Sequence, residues 1–189
     1  MLIRSVLLAA VAALPLAAFA QTAVPTPRFD SVELEGGGHV VIKYGAVQKV
    51  TLLKGSTEFT KIATEWSQPH ELKIEACNEH CPEHYDLEIV IETPGIAAVA
   101  IDGGGHIESA GAFPNQRQVT AAVEGGGHID LRSIDAADAT AAVEGGGNIM
   151  VRAHANLTAA VNGGGHITYW GDPQVTQAVN GGGEVSRGS

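Results

Sequence analysis

Six glycine triplets recur along this chain, and their spacing constrains the fold more than any other feature of the sequence. GGGH occurs at 36–39, 103–106, 125–128 and 163–166, GGGN at 145–148 and GGGE at 181–184. From the second copy onward, successive triplets begin 22, 20, 18 and 18 residues apart. A recurring unit of this length is typical of stacked repeats, in which each unit packs on its neighbours.

The residues beside the triplets alternate between apolar and polar, as in short strands. Val119, Ala121 and Val123 fall on one face, and matching residues recur in DATAAVEGGGNIMV and NLTAAVNGGGHITY. Small apolar residues at equivalent places suit a narrow interior whose neighbouring strands lie about 4.8 Å away. The sequence therefore predicts an all-β fold, a right-handed parallel β-solenoid or β-helix-like stack with room for antiparallel strands in its N-terminal part. An antiparallel meander is the alternative that alternation alone leaves open.

The glycines are interpreted as corners of this stack. Glycine adopts positive φ freely, and its lack of a side chain lets adjacent turns approach closely. A phosphate-binding loop would need a helix after the glycines, whereas here alternating strands continue. The predicted corner glycines are Gly103, Gly104, Gly105, Gly125, Gly126, Gly127, Gly145, Gly146, Gly147, Gly163, Gly164 and Gly165.

The N-terminus has the pattern of a secretory signal peptide. Residues 1–20 contain one charge, Arg4, then an apolar run that ends in Ala18-Phe19-Ala20. We expect a Pro-rich, disordered lead over residues 21–28 and a single β-solenoid domain over residues 29–189. We therefore expect the protein to be exported to the periplasm, the extracellular space or the cell envelope, without membrane insertion after cleavage. The formal net charge of −10 argues against nucleic acid as a partner.

Two columns of polar side chains flank the triplets and carry the main candidate chemistry. If the repeats stack in register, His106 and His128 become neighbours, with Asp102 and Glu124 close by. Imidazole and carboxylate groups together suit a divalent ion such as zinc, copper or nickel. The candidate metal set is therefore His106, His128, His166, Asp102 and Glu124. One alternative is a ladder of hydrogen-bonded or solvated turn residues without a cofactor, which the interruption of the histidine column by Asn148 favours. A pH sensor is a further alternative, since clustered imidazoles titrate near neutrality.

The densest local chemistry lies outside the repeats, in the segment CNEHCPEH at residues 77–84. Two cysteines and two histidines could bind zinc, but their interleaved spacing is not that of a standard zinc finger. Two cysteines in an exported protein favour a disulfide, here between Cys77 and Cys81. Metal binding and an exposed redox pair are the alternatives.

The chain also resembles a known family, on the strength of its ending GGGHITYWGDPQVTQAVNGGGEVSR, its F-D-x-V start and its serial glycine-rich strand ends. It is similar to the putative auto-transporter adhesin, head GIN domain family, over about Phe29 to Arg187. The segment Tyr169 to Pro173 looks like the Y-x-G-x-P of that family, whereas GGG replaces its usual G-S-G and CNEHCPEH departs from its pattern. The resemblance implies a β-solenoid-like fold on the bacterial cell envelope and supplies no catalytic residues.

The sequence thus favours a non-catalytic envelope protein that presents a surface for binding or adhesion to an unidentified partner. We expect no enzymatic activity, because the chain has no motif for an activated nucleophile. A periplasmic metal-binding protein that uses the histidine and acid columns is the first alternative. A carbohydrate-active enzyme that uses carboxylates on one face is a weaker alternative.

Overall fold

A computed structural model describes residues 21–65, 70–77 and 81–189. The predicted signal peptide and the histidine His80 lie outside these residues. Within them the chain forms strands and no helix, so the all-β prediction is confirmed, and no helix in this part of the chain is long and apolar enough to span a membrane. The strands are β1 Thr22–Val24, β2 Ser31–Gly36, β3 His39–Tyr44, β4 Lys49–Lys54, β5 Lys61–Glu65, β6 Glu71–Glu75, β7 Glu88–Thr93, β8 Ala98–Gly103, β9 His106–Ala110, β10 Gln116–Gly125, β11 His128–Gly145, β12 Asn148–Gly163, β13 His166–Trp170, β14 Gln174–Gly181 and β15 Glu184–Arg187.

Each glycine triplet joins two strand segments, and we call each such pair a rung. Successive rungs pair in parallel and in register, so that Gly125 lies opposite Gly103 on one side and Gly145 on the other. The backbone ladder continues through the corner, because Gly126 N donates to Gly103 O and His128 N donates to Gly105 O, both at 2.9 Å. The six rungs, in their order through the stack, are β2–β3, β8–β9, β10–β11, β11–β12, β12–β13 and β14–β15.

The core is a set of apolar columns that run through these rungs. The residue two before each triplet and the first apolar residue after it are buried in every rung except the last, where Val179 is 41% exposed. Four of the residues that follow the triplets in this way are isoleucine, because each repeat places the same residue type at the same inward-facing position of its strand. The buried members are Leu34, Ile101, Val123, Val143 and Val161 before the triplets, and Val40, Ile107, Ile129, Ile149 and Ile167 after them.

The stack contains a seventh rung that has no glycine triplet. β6 pairs in parallel with β2, and β7 pairs in parallel with β3, so this rung lies on the far side of the first triplet rung. Cys77 and Cys81 therefore lie between β6 and β7, in the place that the glycine triplet takes in the other rungs. In chain order, the rung β2–β3 is therefore formed first, and the rung β6–β7 is added outside it afterwards.

The N-terminal end of the stack is closed by antiparallel strands. β5 pairs with β6, β4 pairs with β7, and β1 pairs with β4, all antiparallel. The antiparallel strands expected in this part of the chain are therefore present, and the sheet has mixed orientation. Three residues of the predicted disordered lead, Thr22–Val24, instead form β1, because their backbone groups pair with Val50 to Leu52. The right-handed winding of a β-solenoid stays a prediction.

Glycine has two distinct roles at the corners. The first glycine of each triplet has positive φ, as at Gly125 with φ of 102°. A Cβ atom on Gly125 would lie 2.8 Å from the carbonyl oxygen of Gly103, and one on Gly127 would lie 2.6 Å from Cγ2 of Ile101. A Cβ atom on Gly126 would meet nothing within 4 Å. The outer two glycines are thus constrained by neighbouring rungs, whereas the middle one faces open space.

Candidate functional site

One ladder of polar side chains runs along the position directly after the corners. The register of the rungs places His39, His106 and His128 side by side, three consecutive members of this ladder. The pairing is set by the backbone ladder, and each histidine begins the strand that follows its triplet. We call this column the histidine ladder; in stacking order it comprises Glu88, His39, His106, His128, Asn148, His166 and Glu184.

The three adjacent imidazoles are in contact. The ring centroids of His106 and His128 lie 4.8 Å apart with the rings 5° from parallel, and those of His39 and His106 lie 5.0 Å apart in an edge-on arrangement. Burial lowers the pKa of His106 below its usual value because it disfavours the charged ring, and repulsion from the imidazoles of His128 and His39 lowers it further, against the opposing effect of Glu108. The middle of the ladder therefore favours neutral imidazole, which is the form that binds metals.

Glu108 lies two residues after His106 in β9, on the same face of the strand as the histidine ladder. Its Oε1 atom lies 3.5 Å from Nε2 of His39, and its Oε2 atom lies 3.8 Å from Nε2 of His106. His39, His106 and Glu108 thus offer one ligand atom each within 4.8 Å of one another. We call these three residues the His–His–Glu trio.

The second ladder runs along the position directly before the corners and is acidic at one end. Glu124 lies between Asp102 and Glu144, so that carboxylates succeed one another along the stack. Lysine side chains pair with the members at the outer end, with Lys61 Nζ 2.7 Å from Glu75 Oε1 and Lys73 Nζ 2.6 Å from Glu35 Oε1. We call this column the acid ladder; in stacking order it comprises Glu75, Glu35, Asp102, Glu124, Glu144, Asn162 and Asn180.

The register thus brings together only part of the metal set predicted from the sequence. Of its five residues, His106 alone belongs to the His–His–Glu trio. His128 stacks on His106, whereas His166 lies beyond Asn148 in the ladder. Asp102 and Glu124 lie in the other ladder, on the opposite side of the glycine triplets.

Sequence reasoning missed Glu108 as a site residue. Its counterparts in the next rungs are Asp130, Met150 and Thr168, so it belongs to no column of like residues. The signal that could have found it is alternation, since residues 106 and 108 of a strand point to the same face.

Asp130, which lies opposite Glu108 on the neighbouring rung, forms an ion pair with Arg132. Arg132 Nη2 lies 2.6 Å from Asp130 Oδ2, and Arg132 Nε donates to Oδ1 of the same carboxylate at 2.9 Å. Burial acts to raise the pKa of Asp130, but the hydrogen bonds and charge of Arg132 outweigh it and hold that pKa below its usual value. The guanidinium of Arg132 also lies 5.0 Å from the ring centroid of Trp170, in a cation–π contact.

The disulfide predicted between Cys77 and Cys81 is present. It closes a short loop at the corner of the rung that has no glycine triplet. Both cysteines are used in this bond and are removed from any metal site. Disulfides are typical of exported proteins.

The fold agrees with that of a solved bacterial protein. A putative adhesin from Bacteroides fragilis superposes with a TM-score of 0.54 at 14% identity, covering 92% of this chain and 98% of that one. A putative lipid binding protein from Parabacteroides distasonis matches with a TM-score of 0.41 at 13% identity, covering 90% and 96%. The first likeness supports the fold alone.

The family comparison supplies the identity that these structures do not. None of the functionally curated proteins matches the chain. The model of the putative auto-transporter adhesin, head GIN domain matches residues 28–119 and 114–173. These matches span β2 to β13, and so every rung except the last, β14–β15. The chain therefore belongs to the putative auto-transporter adhesin, head GIN domain family.

Proposed function

We propose that the protein is a non-catalytic, exported cell-envelope protein whose stacked rungs present a surface for binding or adhesion. The observation that carries this proposal is the membership of an adhesin-type family, together with in-register ladders that repeat like side chains along the stack. The disulfide between Cys77 and Cys81 fits an oxidising compartment outside the cytoplasm. We include in the proposal that the rungs wind as a right-handed β-solenoid.

The acid ladder is the part of this surface best suited to contact a partner. Asp102, Glu124 and Glu144 are exposed, and they follow one another at the spacing of adjacent strands, about 4.8 Å. The chain as a whole carries a net charge of −10, so the ladder adds to a field that attracts positively charged surfaces. A basic protein or another cationic envelope component is the class of partner that this chemistry would recognise.

The proposal can be tested by measuring adherence and direct binding together. Cells of the native host with and without the gene would be compared for attachment to surfaces, and residues 21–189 would be titrated onto immobilised envelope and extracellular-matrix fractions. The matched variants are Asp102→Asn/Glu124→Gln/Glu144→Gln, which removes three charges from the acid ladder, and Asn162→Ala/Asn180→Ala, which changes the neutral end of the same ladder.

We expect the gene deletion to reduce attachment, and the charge-removing variant to lose binding that weakens with added salt. The asparagine variant would retain that binding. Unchanged attachment on deletion, or turnover of a polysaccharide by the purified chain, would overturn the proposal. The family and the similar structure give no support to a metal-binding protein or a carbohydrate-active enzyme as the function of the whole chain.

A further inference from the structure

The His–His–Glu trio gathers metal-binding groups from two rungs that are far apart in the sequence. His39 begins β3, and β9 supplies both His106 and Glu108. The parallel pairing of β3 with β9 places His39 opposite His106 and Val41 opposite Glu108. The three polar groups are therefore held on regular strands, whose backbone hydrogen bonds fix their relative positions.

The ligand atoms of the trio lie somewhat farther apart than those around one small ion. In a tetrahedral zinc site with bonds of about 2.0–2.1 Å, neighbouring ligand atoms lie about 3.3–3.4 Å apart. The two imidazole-to-carboxylate distances are 3.5 and 3.8 Å, and all three ligand atoms lie within 4.8 Å of one another. At 3.8 Å the imidazole of His106 and the carboxylate are too far apart for an ordinary hydrogen bond. A bound ion would need only small side-chain movements to draw them in.

One shielded nitrogen atom of the trio lacks a hydrogen-bond partner, although the side chain that carries it is 41% exposed. Nε2 of His39 is shielded from solvent, and among the described residues it has no hydrogen-bond partner. Its nearest anionic group is the carboxylate of Glu108, in a position that does not make a hydrogen bond. Buried polar atoms are ordinarily satisfied, and an unsatisfied one calls for an explanation such as an ion. A metal ion on the lone pair of this nitrogen would supply the missing partner.

We infer that His39, His106 and Glu108 form a binding site for a divalent transition-metal ion, with zinc as the probe of choice. Two imidazoles and one glutamate are a donor set that holds zinc in known metalloproteins and leaves a fourth position for water. The imidazole donors select against calcium and magnesium, which prefer oxygen ligands. This site differs from the set expected from the sequence, since His39 and Glu108 take the place of His128, His166, Asp102 and Glu124. It is independent of the proposed adhesion role.

The trio lies near two further carboxylates that already have cationic partners. Glu88 follows His39 in the histidine ladder and lies 2.7 Å from Lys54 Nζ, and Asp130, opposite Glu108 on the neighbouring rung, is paired with Arg132. The ring of His128 packs flat against His106 on the side away from His39, which restricts the orientation of the ligand ring.

The test is zinc titration of the oxidised chain of residues 21–189, purified without a histidine tag and stripped with chelator. Isothermal calorimetry with zinc chloride should give one site per chain. Cobalt chloride should produce a visible absorption band of a four-coordinate site, and zinc should displace it. Because loss of an outer-shell residue lowers metal affinity by about 10–100-fold, loss of a direct ligand in Glu108→Gln or His39→Ala should lower it by about 100-fold or more.

Two control variants separate the trio from its neighbours. His166→Ala changes a histidine of the same ladder outside the trio, and Glu124→Gln changes a carboxylate of the acid ladder. Both should bind zinc as the unmodified chain does, and circular dichroism would verify that every variant keeps its strands. Absence of stoichiometric zinc and cobalt binding by the unmodified chain would overturn the inference. So would equal affinity in Glu108→Gln, or a larger loss in either control than in the trio variants.

Discussion

The triplet Gly125-Gly126-Gly127 allows one change of side chain to be compared at three adjacent positions. In Gly125→Ala the new Cβ would meet the carbonyl oxygen of Gly103 at 2.8 Å while φ is 102°. In Gly127→Ala it would meet Cγ2 of Ile101 at 2.6 Å without positive φ. In Gly126→Ala it would enter open space at a residue that is not among the positive-φ glycines.

The magnitudes follow from these contacts. A non-glycine residue at positive φ costs about 1–2 kcal/mol, and overpacking against a neighbour costs about 1–3 kcal/mol. Gly125→Ala combines both effects, so we expect its free energy of unfolding to fall by about 2–5 kcal/mol. Gly127→Ala has the packing effect alone and should lose about 1–3 kcal/mol. Gly126→Ala should gain up to about 1 kcal/mol, because alanine restricts the unfolded chain.

The measurement is urea unfolding of the three variants and the unmodified chain, monitored by circular dichroism under oxidising conditions. For a domain of this size, 1 kcal/mol corresponds to a change in melting temperature of about 2–4 °C. The expected order of stability is Gly126→Ala highest, then Gly127→Ala, then Gly125→Ala. If Gly126→Ala were as destabilising as Gly125→Ala, the corners would not have the separate roles assigned to the outer and middle glycines.

Three further perturbations test other parts of the stack. Reducing the bond between Cys77 and Cys81 should lower the free energy of unfolding by about 2 kcal/mol, the loop-entropy value for so short a ring. A much larger loss, measured by unfolding in the presence of reductant, would mean that the disulfide stabilises more of the stack than the loop it closes. Asp130→Asn should lower the free energy of unfolding above about pH 4, and this loss should shrink as pH falls through the lowered pKa of Asp130, since the ion pair with Arg132 stabilises only the charged carboxylate. A loss that stays constant from pH 7 to pH 2 in unfolding experiments would show that the ion pair is not its cause. Glu124→Gln should raise the free energy of unfolding by about 0.2–1 kcal/mol at low salt, because the carboxylates of Asp102 and Glu144 lie on both sides of Glu124 and repel it. Added salt screens this repulsion, so the gain should disappear when unfolding is measured at high salt.

The repeats made much of the stack predictable from sequence. Because the same residue types recur at fixed distances from each triplet, the pairing of His106 with His128 and of Asp102 with Glu124 could be expected from the sequence alone. The all-β class followed from alternation, and the disulfide followed from the cysteine count in a chain expected to be exported. All of these inferences use information that is local to one repeat or shared between adjacent repeats.

The outer rung was not predictable in this way. β6 and β7 flank a disulfide loop and not a glycine triplet, so no repeated signal marks them as members of the stack. Their place beyond β2 and β3 depends on parallel pairing between segments that are 40 residues apart for β2 with β6 and 49 residues apart for β3 with β7. Likewise Thr22–Val24 forms a strand only because β4 offers an edge, which the composition of residues 21–28 does not reveal.

The His–His–Glu trio differs from the set expected along the columns because its members come from two directions in the stack. A stack brings residues together in two directions, along a column from rung to rung and along a strand at every second residue. A search by columns finds repeated residues such as His106 and His128, which the rungs place in stacking contact. A site also needs different donors around one point, and Glu108 is supplied by the strand direction. In repeats of this kind, candidate binding sites are therefore best sought where a repeated column meets a residue that does not repeat.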